Sequence, residues 1–288
     1  MKIVIIGSGG RLGAALTGEY RDKFDVVGFN HAQLDLTNFE QVREKVPALD
    51  FDVLINCAAF TNVDLCETQR DLAFQINAEA PRVLGEICRD KKAKLIHFST
   101  DYVFDGEKRE PYTEDDVAKP ISFYGESKRE GEKLVLQTQD RHLVVRVSWV
   151  FGPDRPSFVD GVIKRARENE HVEAIADKFS TPTYTRDIAQ VLPQFFENDV
   201  SGLLHFANAG ECSWQEYAQF SLDCCRSLGI PLKAKTVGAL KLSDMKNWIA
   251  RRPIYSVLST TKYIAITGTT PRGWRDAVGD YVREFVPR

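Results

Sequence analysis

Short apolar runs of four to six residues recur along the first half of the 288-residue chain, each followed by a polar or glycine-rich turn and then a stretch with helical spacing. Runs this short and continuous suit strands buried on both faces of a parallel sheet, and the segments between them suit crossover helices. The pattern predicts strands at 2–6, 26–29, 53–56, 95–99 and 143–147, and helices at 12–20, 39–46, 71–90 and 124–137. After about residue 151 the alternation weakens. Strands at 172–176, 203–207 and 255–258 alternate with helices at 158–168, 185–197 and 214–228, which reads as a smaller, mixed α/β lobe. The fold class is therefore α/β: a doubly wound parallel sheet with a smaller lobe. Residues 1–150, with returning segments at about 171–203 and 253–264, are expected to form the sheet domain, and about 151–170, 204–252 and 265–288 the lobe.

Composition narrows the partners. The formal charge is −3, from 38 basic and 41 acidic residues spread without long blocks, so there is no electrostatic footprint for nucleic acid or an anionic membrane. No stretch approaches the roughly 20 apolar residues of a spanning helix, and the apolar start at 1–6 is too short for a signal peptide. Six cysteines at irregular spacing, with no C-x-x-C pair, suggest neither a metal knuckle nor a redox motif and read as reduced thiols in a cytoplasmic protein. No carboxylate cluster suggests a metal.

The turn after the first strand is Gly7-Ser8-Gly9-Gly10-Arg11-Leu12-Gly13. A G-x-x-G-x-x-G spacing between strand and helix is where a dinucleotide pyrophosphate binds: Gly7, Gly10 and Gly13 let backbone approach the phosphates, and the N–H groups of Arg11 and Leu12 open the helix end toward them. A glycine-rich turn with no ligand is the plain alternative, which the position in the first βαβ unit argues against. This makes the sheet Rossmann-type. The second strand ends at Asn30, where an acid holding the ribose 2′-hydroxyl is usual. With that acid missing and Arg11 nearby, NADPH is favoured and NADH is the alternative. Asp35 and Leu36 can meet the adenine edge, although an aspartate capping the next helix fits as well. Ala58, Ala59 and Phe60 follow the third strand with small residues that admit a ligand, or simply pack tightly.

Two further elements bring polar groups to the same sheet edge. Ser99-Thr100-Asp101 ends a strand, and Tyr124 and Lys128 stand one turn apart at the start of a helix. Reducing a ketone requires a hydride and a proton, and a phenol becomes a usable proton donor when a cation lies beside it. Thr100 can orient the carbonyl or the phenol. A Tyr-x-x-x-Lys pair alone is an ordinary amphipathic pair; its coincidence with the glycine turn and the strand-end Ser-Thr gives it chemical meaning.

Runs at 7–13, 56–64, 76–81, 99–106, 120–128, 146–152, 180–184 and 208–214 together resemble the extended short-chain dehydrogenase/reductases. The S-T-D-Y-V-F-D-G run at 99–106 is the most specific of them and is similar to the dTDP-4-dehydrorhamnose reductase group of that family. The resemblance implies Thr100, Tyr124 and Lys128 as a catalytic triad, with Tyr124 and Lys128 also at the cofactor. It places Asp101, Tyr102 and Trp149 near the sugar, and a dTDP group on the smaller lobe. The expected activity is NAD(P)H-dependent reduction of a dTDP-linked 4-keto-sugar. On its own Trp149 reads as core, and Arg251 and Arg252 are diphosphate partners only by charge. That group often has glutamine where Arg11 stands, and the magnesium that some of its members hold at a dimer contact has no counterpart here; a homodimer is compatible with the sequence. Two other readings stand beside this one: a reductase or epimerase of another nucleotide sugar, and a non-catalytic NADP-binding regulatory subunit.

Overall fold

The computed structural model describes residues 1–198 and 200–287; residues 199 and 288, which the expected ranges take in, lie outside the described residues. Six strands form one parallel sheet in the order β2 (Asp25–Phe29), β1 (Lys2–Ile6), β3 (Val53–Asn56), β4 (Lys94–Thr100), β5 (Leu143–Val147) and the edge strand Gly202–His205. Every residue of β3 and β4 is buried, as continuous apolar runs between two helical layers demand. The period of two is visible in β1. Ile3 and Ile5 join a core with Leu16, Tyr20 and Phe195 on one face, whereas Val4 and Ile6 join Leu34, Val42 and Leu84 on the other. Each such side chain contributes about 1.5–3 kcal/mol by leaving water. From β1 the chain moves outward to β2 and then returns to the opposite side as β3, so a crevice opens between β1 and β3 beyond their carboxyl ends.

Three expectations change. The single helix expected over 71–90 is broken into Arg70–Phe74, a π turn at Gln75–Glu79 and Ala80–Asp90, and a separate short helix, Val63–Thr68, precedes it. Pro81 has no N–H to give the Asn77 carbonyl, and the freed carbonyl meets Gly131 of the helix Phe123–Thr138 so closely that a Cβ there would lie 2.1 Å from it. The segment 255–258 forms no strand; it makes isolated bridges, Phe179 to Tyr255 and Tyr112 to Leu258, and packs with Val103 and Phe104 just beyond β4.

The returning segment 171–203 divides. Val172–Ile175 pairs with Val237–Leu240 inside the smaller lobe, whereas the helix Thr185–Val191 lies on α1 (Arg11–Tyr20), with the Tyr20 hydroxyl donating to the Ala189 carbonyl at 2.9 Å. The edge strand, expected partly in the lobe, pairs with β5 from Gly202 opposite Leu143 to His205 opposite Arg146. Its apolar Leu204 is what the sheet core takes up. The lobe's own core is Val159, Val162, Tyr217, Leu222, Trp274 and Tyr281 from the helices Phe158–Glu168, Trp214–Ser227 and Trp274–Phe285. No helix among the described residues is long and apolar enough to cross a membrane.

Candidate active site

Gly7 has φ +82°, and a Cβ there would lie 2.7 Å from the Ala58 amide; a Cβ on Gly13 would lie 2.2 Å from the Gly7 carbonyl. Glycine is thus required at both positions for the turn to close against β3 and α1. Gly10 caps α1 with no side chain bonded to the helix N–H groups and no acid in the first turn, which leaves the positive helix end free to face an anion. Beyond it lies a cleft of about 630 Å³ lined by Gly7, Gly10, Asn30, Asp35, Leu36, Ala58, Ala59 and Phe60, among others. These residues fit the dinucleotide expected from the sequence.

The remaining turn residues divide by direction. Leu12 packs into the sheet core. Arg11 turns toward the lobe, where its guanidinium donates to the Val150 carbonyl (3.1 Å) and the Arg155 carbonyl (3.3 Å). Burial lowers its pKa, and Asp160 opposes that. The cation that lines the cleft is Arg155, whose Nε donates to the Gly9 carbonyl at 2.9 Å; being 146 residues away in sequence, it carried no motif signal. Asn30 exchanges hydrogen bonds with Gln33. Asp35 caps no helix: its Oδ1 accepts from the Thr37 amide and hydroxyl, which lowers its pKa, and the helix Phe39–Lys45 is capped by Asn38.

Thr100 ends β4, and Tyr124 begins the helix Phe123–Thr138, whose Ser122 cap accepts from the Gly125 amide. Tyr124 packs with Phe60 and Tyr102, the Tyr102 ring standing edge-on at 5.6 Å. Burial pushes the phenol above its ordinary range; a hydrogen bond with Thr100 pulls it down and Asp101 pushes it up. The Lys128 side chain, one turn further along the same helix, reaches β4. Its amine donates to the Phe98 carbonyl at 2.6 Å, faces His97 Nε2 at 3.2 Å, and is pushed by burial down to about 8.

Asp101 is turned inward. Its Oδ1 accepts from Thr100 (3.1 Å), and its Oδ2 from Ser148 (3.0 Å) and Ser256 (2.5 Å). Burial raises its pKa, and Lys178 lowers it. Lys178 is a buried cation that no motif indicated. It donates to the Pro253 carbonyl at 2.9 Å and stands over the rings of Tyr102 (5.3 Å) and Trp214 (6.0 Å). Trp149, whose φ of +46° is rare for a bulky residue, stacks on Trp214 at 5.1 Å, and Trp214 meets Trp248 at 5.8 Å. Arg252 lies 3.8 Å over Trp248 and pairs with Asp64 at 2.8 Å. The tryptophans lead to a second cleft of about 620 Å³ lined by Arg109, Trp248, Arg251 and Arg252. Among the described residues no group of three or more His, Cys, Asp or Glu is placed to hold a metal ion.

Comparison with known proteins agrees with this geometry. The chain is similar to the dTDP-4-dehydrorhamnose reductase of Mycolicibacterium smegmatis, 37% identical over 99% of this chain and 86% of that protein. It is also similar to a Streptomyces antibioticus protein described as a probable dTDP-4,6-dihydroxy-2-methyloxan-3-one 4-ketoreductase, 36% identical over 96% and 93%. Among solved structures, the dTDP-4-dehydrorhamnose reductase of Bacillus anthracis in complex with NADP superposes with a TM-score of 0.93 at 31% identity, over 98% of this chain and 99% of that one. The family model described as the RmlD substrate binding domain matches residues 1–286, and the chain belongs to that family.

Proposed function

We propose that this chain reduces the 4-keto group of dTDP-4-dehydro-L-rhamnose to give dTDP-L-rhamnose, with NADPH as the preferred cofactor and NADH as the alternative. The observation that carries the chemistry is the place of Tyr124, packed with Phe60 of the dinucleotide cleft and edge-on to Tyr102 just beyond Thr100 at the carboxyl end of β4. Gly7, Gly10, Gly13, the amides at the start of α1 and Arg155 are the groups that hold the pyrophosphate, while Asn30, Asp35 and Leu36 lie along the adenosine side. When bound, the dinucleotide supplies the hydride. Tyr124 gives the carbonyl oxygen its proton, so that ketone, hydride and proton become the alcohol. Thr100 orients the carbonyl and the phenol. Lys128 balances the phenolate left behind and holds the cofactor. Asp101 acts through Thr100, because both its oxygens are already engaged by hydroxyls.

Trp149 and Tyr102 border the sugar in this reading, and the second cleft takes the nucleotide, with Trp248 available for stacking and Arg251 for the diphosphate. The Streptomyces antibioticus relative supports a second substrate of the same class, another dTDP-linked ketone. The test is NADPH oxidation by the purified protein with each ketone, alongside a Tyr124→Phe variant. That variant is expected to fold normally and lose about 10²–10⁴ of the rate. Full activity in it overturns the assignment of the proton donor, and no turnover by the wild type with any dTDP-linked ketone overturns the substrate class.

A further inference from the structure

We propose that His97 is a positioning residue for Lys128, holding its amine at the floor of the site and setting the pH at which that amine gives up its proton. The proposal rests on the catalytic reading of Lys128 above, but the geometry behind it is independent of turnover.

The chain of constraint begins at the end of β3. The Ala58 amide donates to Asn56 Oδ1 at 3.1 Å. That bond orients the Asn56 carboxamide, so its other terminal atom, the Nδ2 donor, faces His97 Nδ1 at 3.1 Å. A donor facing Nδ1 requires that nitrogen to accept. The single proton of the neutral ring therefore sits on Nε2. A doubly protonated ring would set N–H against N–H at Asn56. Nε2–H in turn faces Lys128 Nζ at 3.2 Å. An ammonium has donors only and is repelled there, whereas an amine offers a lone pair to accept that proton. The Phe98 carbonyl takes a Lys128 hydrogen at 2.6 Å and suits either form.

The other titratable neighbours of Lys128 are either engaged by partners of their own or held neutral by burial. On its own helix Lys128 is followed one turn later by Glu132, which favours the ammonium. The Glu132 carboxylate is however occupied by Arg146 of β5 at 2.8 and 2.7 Å and by the Ser99 hydroxyl of β4 at 2.5 Å. From β3 the facing group is Cys57, whose thiol is held protonated by burial, and Tyr124 on the same helix is likewise held neutral by burial. His97 and Lys128 are both fully enclosed; burial lowers the Lys128 amine, and burial together with the nearby Lys128 lowers the His97 ring.

Full-length protein carrying lysine labelled with carbon-13 at Cε reads the titration directly, with the Lys128 signal identified by its loss in Lys128→Met. In the wild type its midpoint is expected near 8. In His97→Leu it is expected to rise by about one unit or more, because the opposing N–H is gone. His97→Gln, whose amide can accept from Asn56 and donate toward Lys128, is expected to titrate close to the wild type. An unchanged midpoint in folded His97→Leu overturns the proposal. A second readout needs no variant: ring proton–nitrogen spectra of the wild type are expected to show His97 as the Nε2–H tautomer from about pH 5 to 8. The Nδ1–H tautomer or an imidazolium in that range overturns the proposal whether or not His97→Leu folds. A Lys128→Met protein that kept its reductase rate would instead remove the catalytic reading of Lys128 and leave both spectroscopic results standing.

Discussion

Lys128 and Lys178 are both 1% exposed, and burial pushes both amines down to about 8, yet they stand in different company. Lys128 lies against a carbonyl, a neutral imidazole and a protonated thiol. Lys178 lies near the Asp101 carboxylate and over the rings of Tyr102 and Trp214. Desolvation costs the two cations alike; their partners differ in what they favour. The Asp101 carboxylate and the aromatic faces favour the Lys178 cation, whereas the Phe98 carbonyl suits either form of Lys128 and the neutral imidazole favours its amine. Burial alone thus says little about which buried lysine does chemistry.

Removing each amine separates the two roles. Lys128→Met is expected to lose about a thousandfold in turnover with the fold intact, measured by NADPH oxidation. Lys178→Met is expected to keep turnover within about tenfold and to lose about 2 kcal/mol of stability in urea, since Asp101 is left without its cation. Comparable rate losses in the two variants, at comparable stability, would erase the distinction.

A finer test follows from linkage. The Lys178 amine titrates near 8 in the folded protein and near its ordinary 10.5 when unfolded, so between these values the unfolded chain binds more protons. The stability difference between wild type and Lys178→Met is therefore expected to move in favour of the wild type as pH rises from about 8 toward 10.5, read from urea melts across that window. The smallest effects belong to the cations at the two clefts. Arg155→Ala is expected to raise KM for NADPH about three- to tenfold while leaving the sugar nucleotide unchanged, and Arg251→Ala to do the reverse. Crossed effects would show that the clefts have been assigned the wrong way round.

Much of the sheet half was legible in the sequence because its signals are local. The run at 2–6, the glycine turn and the Tyr124–Lys128 spacing each lie within one element, and β1, α1 and the helix Phe123–Thr138 fall within a residue or two of their expected positions. The π turn escaped because a helical hydrophobic period runs unbroken through it; Pro81 was the one visible cue. In the lobe the helices Phe158–Glu168 and Trp214–Ser227 and the strand Val172–Ile175 stand where the pattern put them, but the pairing escaped because the strands are short and meet across long separations, as Val172–Ile175 does with Val237–Leu240. Within the site, the sequence offered residue types but no directions. Arg11, Arg155 and Lys178 owe their surroundings to carbonyls and rings that lie far away in the chain, and His97 to the side chains of Asn56 and Lys128.

The bonds made by Arg11 bear on any attempt to change the cofactor. A cation in a phosphate-binding turn invites exchange as a lever on NADPH against NADH selectivity. Here its guanidinium is a strut, fastened to backbone carbonyls at 150 and 155, while Arg155 reaches back to the Gly9 carbonyl. The two arginines cross-lace the turn to the segment that follows Trp149. Replacing Arg11 would slacken the seam between the halves before it altered any preference, so a redesign aimed at selectivity would do better to begin at Asn30 and leave the lacing whole.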